Sequence, residues 1–98
     1  MEEEIERIVS SVFEKDPLVS SVMVVDDSGL CLSKKGPISE EAAGLLASIA
    51  ARSEVVLPLS SNPVVPKSAV VQIEAENMLI LVRRTASVVV GIFKAKPE

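Results

Sequence analysis

No histidine, tryptophan or tyrosine occurs in the 98 residues of this chain, and cysteine occurs once. Without histidine the chain lacks the commonest general base, the commonest transition-metal ligand and the partner that activates a serine or cysteine nucleophile. A single cysteine excludes an intramolecular disulfide and is compatible with a reducing compartment. Aromatic residues make up 2% of the chain against 48% hydrophobic residues, so the core must be built from Val, Ile, Leu, Ala and Met. The glycines Gly29, Gly36, Gly44 and Gly91 are scattered and form neither a Walker loop nor a dinucleotide fingerprint. Ten Lys and Arg against 14 Asp and Glu leave a net charge of −4, which disfavours nucleic acid or an anionic membrane as the main ligand. Lys34-Lys35 and Arg83-Arg84 are pairs flanking strands and read as solvated turns.

What is present is apolar. A mean hydropathy of +0.41 is high for a soluble monomer. No run in the sequence approaches the ~18–20 apolar residues of a membrane span, and the start Met1-Glu2-Glu3-Glu4 is the opposite of a basic signal-peptide region. The excess apolar surface is therefore expected to meet a protein partner, with no direct membrane insertion. Length allows one domain, 1–98.

The stretch Val19 to Lys35 organises the rest: two apolar runs joined by Asp26-Asp27-Ser28-Gly29 spell a β-hairpin. Before it, Ile5, Ile8, Val9, Val12 and Phe13 form one helical stripe, stopped at Asp16-Pro17. This amphipathic helix covers one sheet face. After the hairpin, Ser39 is an N-cap ahead of Glu40 and Glu41, and the helix body Ala42 to Ala51 is apolar nearly all round, as for a helix buried on more than one side. Leu45, Leu46 and Ile49 are the knobs expected against the sheet; the small residues Ala43, Gly44, Ala47, Ala50 and Ala51 read as a dimer surface, unless they are there only as good helix formers. Val55 to Lys67, with Pro58, Pro63 and Pro66, reads as a loop. Ser68–Glu74, Met78–Arg83 and Ser87–Lys94 then spell an antiparallel meander whose later strands are apolar on both faces, so the sheet is covered twice, the second time by its own chain or by a partner.

Cys31 and the pair Asp26 and Asp27 are the residues nearest to catalytic parts. Cys31 has no histidine beside it and reads as a packed or surface thiol, and the two aspartates are needed for the turn's backbone hydrogen bonds. No enzyme, cofactor or metal is expected.

The order helix, two strands, helix, three strands, together with Val22 to Leu32, Gly36 to Gly44 and Val70-Val71-Gln72-Ile73-Glu74 leading into Met78 to Val82, resembles the roadblock superfamily, and within it the subunits of Ragulator, the late endosomal and lysosomal adaptor. The Glu74-Ala75-Glu76-Asn77 turn departs from that pattern. The resemblance implies an α+β fold, α-β-β-α-β-β-β, with a five-stranded antiparallel sheet, two helices and no third helix. It further implies a non-catalytic scaffold that pairs with another roadblock-domain subunit, as a heterodimer or a homodimer, through the second helix and the third strand. The interface would then comprise Ala43, Ala47, Ala50 and Ala51 with Ala69, Val70, Val71, Gln72, Ile73 and Glu74. A lipid-anchored subunit would wrap such dimers on the cytosolic face of late endosomes and lysosomes, recruiting Rag-type GTPases for nutrient signalling through the mTOR kinase. The alternative that the resemblance leaves is a dimer acting directly as a small-GTPase regulator.

Overall fold

A computed structural model describes residues 2–59, 69–85 and 87–97. The elements are α1 (Glu2–Lys15), β1 (Val19–Val25), β2 (Cys31–Lys35), α2 (Ala42–Val56) with a 3-10 turn at Leu57–Leu59, β3 (Val70–Glu74), β4 (Met78–Thr85) and β5 (Val88–Ala95). This is the expected order of two helices and five strands. One antiparallel sheet runs β2-β1-β5-β4-β3, so β2 and β3 are its edges.

Alternation along β1 sorts the core into two layers. Val22 and Val24, with Val88 and Val90 of β5, face Ile5 and Val9 of α1. Met23 and Val25, with Val82 and Val89, face α2. The sheet is thus covered on both sides by its own helices. Val22 to Val25 are 0% exposed, and burying each side chain contributes about 1.5–3 kcal/mol of transfer free energy. The α1 stripe behaves as its spacing predicts: Ile5 and Val9 are buried, and the helix stops at Asp16, whose Oδ1 accepts the Leu18 amide 2.9 Å away across Pro17.

Two boundaries differ from the sequence reading. The second helix starts at Ala42 rather than at Ser39, because Ala42 and Ala43 donate to the carbonyls of Ser39 and Glu40, a tighter three-residue turn that the Ser39 hydroxyl supports by accepting the Glu41 amide at 3.2 Å. The same helix runs on through Val55 and Val56, where a loop was expected. The Leu57 amide donates to the Ser53 carbonyl, and Pro58, which has no N–H to continue that series, lies in the 3-10 turn where the α-helix ends. The remainder of the proline-rich stretch, 60–67, and position 68 of the expected third strand lie outside the described residues.

This extension also corrects the reading of apolar run length. Ala42–Leu59 is an 18-residue helical stretch of mean hydropathy 1.4, long and apolar enough by composition to cross a membrane. Here its inner side packs on the sheet, closing Met23, Val25, Val82 and Val89 off from water.

Candidate functional site

The Asp-Asp-Ser-Gly turn fixes where α2 begins. Asp26 Oδ1 accepts the Ser28 amide at 3.0 Å, the Leu30 amide at 2.9 Å and the Ser28 hydroxyl at 2.7 Å, while Gly29 takes φ +89°. The Ser28 hydroxyl bond foremost, then the Leu30 amide, hold the Asp26 carboxyl below its ordinary value of 3.8. A side chain at Gly29 would place its Cβ 3.0 Å from Gly44 Cα, so this turn and the first turn of α2 touch backbone to backbone. Asp27 does a different job from the one expected of it. It pairs with Arg84 of β4, whose Nε also donates to Glu54 of α2 at 2.5 Å. The Glu54 hydrogen bond, followed by that of Asp27, raises the Arg84 guanidinium still further above its ordinary value. One arginine thus ties together the hairpin turn, the far end of α2 and the sheet.

Neither candidate for chemistry is activated: the aspartates are engaged by the turn and by Arg84, and Cys31 Sγ donates to the Ser33 carbonyl at 3.7 Å. Cys31 packs half-buried against the α2 layer, and burial, then the nearby Glu40 charge, push its thiol up, away from the thiolate a nucleophile needs. Among the described residues, no group of three or more Cys, Asp or Glu side chains is placed to hold a metal ion.

The helix face expected to meet a partner is turned the other way. Ala43, Ala47 and Ala50 are 3%, 8% and 4% exposed and lie against the sheet, so they form the inner wall of this domain and not its outer surface. Leu45, expected as a knob against the sheet, is instead 67% exposed. The physical reason is volume. The sheet already presents Met23, Val25, Val82 and Val89, and small alanines let the helix settle close onto that layer, leaving one notch over Gly91. Leu46 fills it: a Cβ at Gly91 would stand 2.7 Å from Leu46 Cδ1. An isolated glycine within an apolar strand is the sequence signal for such a close approach. Ile49 packs at the margin of the layer, as expected of it in part.

The outward side of α2 consequently carries large apolar groups that sequence reasoning missed. Leu45, Val55, Val56 and Leu59 are 67%, 66%, 62% and 78% exposed, with Ala51 also exposed on the same side. Of the expected strand residues, Val71 packs toward α2, and alternation places Ile73, 40% exposed, on that face too. Val70, Gln72 and Glu74 are exposed on the opposite face, and Ala69 is half-buried just ahead of the strand. Glu74 meets Lys96 Nζ at 3.4 Å. Among the described residues β3 pairs with β4 alone, which leaves one row of its backbone donors and acceptors facing outward. An apolar helix face and an unpaired strand edge therefore lie side by side.

Solved structures share this architecture at low identity. A roadblock/LC7 domain from Streptomyces avermitilis is 15% identical with a TM-score of 0.70, over 89% of this chain and 74% of that one. The gliding protein MglB from Thermus thermophilus is 16% identical with a TM-score of 0.72, over 95% and 72%. Myxococcus xanthus MglB is 19% identical with a TM-score of 0.67, over 87% and 71%. No match was found among curated protein sequences. The fold is thus that of the roadblock domains, and a family model matches residues 1–94, nearly the whole chain: the protein belongs to the family described as Ragulator complex protein LAMTOR5.

Proposed function

We propose that this chain is a non-catalytic adaptor subunit that pairs with another roadblock domain through the outward side of α2 and the free edge of β3. The observation that carries the reading is the juxtaposition of Leu45, Val55, Val56 and Leu59 with the β3 edge, whose outer side has no paired strand among the described residues. A partner strand along β3 would satisfy the outward amides and carbonyls and extend the sheet, while its helix would take the apolar stripe out of water. Neither surface needs a reacting group, in keeping with the unactivated Cys31 thiol. Family membership extends the proposal to the setting: an assembly with a lipid-anchored wrapping subunit on the cytosolic face of late endosomes or lysosomes, recruiting Rag-type GTPases for nutrient signalling.

Affinity purification from the native cell tests both parts. Tagged wild-type chain is expected to recover a second roadblock-domain subunit and Rag-type GTPases, and Val55→Glu, which places a charge on the exposed stripe, is expected to lose both. Equal recovery by the two chains would overturn the proposed face.

A further inference from the structure

We propose that Arg52 sets partner choice on this face, favouring a different roadblock chain that places a carboxylate opposite it over a second copy of this one. The inference rests on the α2–β3 face being the dimer surface and adds which chemistry it selects.

Arg52 is exposed; it follows Leu45 and Ser48 at spacings of seven and four and precedes Val55, Val56 and Leu59 at three, four and seven, which places it on the outward stripe. Among the described residues its guanidinium bonds only the Ser48 hydroxyl, at 3.2 Å one turn back. The neighbouring acid does not neutralise it, because Glu54 is engaged by Arg84.

Its position relative to the strand edge decides what it would face. The start of α2 lies by the β1–β2 turn, where Gly29 meets Gly44, and its end lies by β4, where Glu54 meets Arg84. The helix therefore crosses the sheet from the β2 side toward β3. Two domains joined antiparallel along β3 are related by a two-fold axis perpendicular to the sheet, which leaves both α2 helices on one face with their later turns closest to the axis. In a pair of identical chains the two Arg52 side chains would converge there, in an apolar seam between two rows of Val55, Val56 and Leu59. Two like charges removed from water without a counter-ion oppose association; an Asp or Glu in the same place supports it. Glu41, the other charge on the outward side, sits at the β2 end of the helix and is too far from the axis to reach Arg52 of a second copy.

Dissociation constants from analytical ultracentrifugation test this with wild type, Arg52→Leu and Arg52→Glu, each with and without Val55→Glu. Arg52 is on the surface, so circular dichroism should be unchanged across the set. The expected result is that Arg52→Leu self-associates at least about tenfold more tightly than wild type, that a mixture of wild type with Arg52→Glu does so too, and that Val55→Glu abolishes both gains. If Arg52→Leu and the mixture bind no more tightly than wild type while Val55→Glu still weakens association, partner choice lies elsewhere and only this proposal falls. A tight wild-type dimer that Arg52→Leu loosens would make a second copy the occupant and overturn it. Association indifferent to Val55→Glu would remove the face itself.

Discussion

One oxygen of Asp26 accepts three hydrogen bonds, and Asp16 is held by Lys94 foremost and the Leu18 amide next, so both carboxyls sit below their ordinary value of 3.8. A folded-state value below the unfolded one means that the stabilisation is fully present above the unfolded value and is lost as pH falls through the folded one. Chemical denaturation followed against pH is therefore expected to show the full contribution of these groups, with little pH dependence from them, above about pH 5 and a decline below about pH 4, shallower in an Asp16→Asn, Asp26→Asn double variant, which keeps an acceptor oxygen without the titration. Gly36 gives a sharper test. At φ +98° its added Cβ would stand 2.2 Å from the Ser20 carbonyl oxygen, a backbone atom that cannot turn aside. Gly36→Ala should cost at least about 2 kcal/mol in urea denaturation, through strain and displacement of β1 together. Residues of this kind were legible in part: the turn chemistry of Asp26 and Gly29 follows from residue type, whereas the Asp27–Arg84–Glu54 bridge joins positions brought together only by the sheet's strand order.

At the scale of elements, α1 was readable because it repeats with one clear apolar face, and the strands because short β-branched apolar runs are bounded by turn residues. The second helix was not, since apolar groups surround it and periodicity gives no preferred side. Its orientation came from the sheet: Gly91 accepts Leu46, alanines fit over Met23 and Val89, and Leu45 is left outside. Its length was missed because Val55 and Val56 are poor helix formers just ahead of Pro58, which lies in the 3-10 turn that follows. The two sides predict opposite phenotypes. Ala47→Glu buries a charge against the sheet and should lower the thermal midpoint steeply or prevent folding, a loss of more than about 4 kcal/mol. Val55→Glu should change monomer stability by no more than about 0.5 kcal/mol while removing the partner. Calorimetry beside a binding assay separates them, and equal thermal midpoints for the two variants would contradict the inside-outside assignment.

Taken as a whole molecule, the chain is two helices clamped on opposite faces of one sheet, with apolar surface concentrated on the outer side of α2 next to an open edge. The class of fold was accessible from the order of patterns, and the resemblance to roadblock domains from the Val22 to Leu32 and Gly36 to Gly44 segments. Which helix face meets a partner was not, because it depends on what the domain has already buried. Edge strands left unpaired invite association, and we propose that this one is completed by another roadblock domain. Amide hydrogen exchange, comparing the isolated chain with its purified complex, tests that claim most directly. Slowed exchange is expected along Val70–Glu74 of β3, with the opposite edge Cys31–Lys35 of β2 changed less by the roadblock partner itself. Protection gained at β2 while β3 exchanges at its original rate would contradict the account.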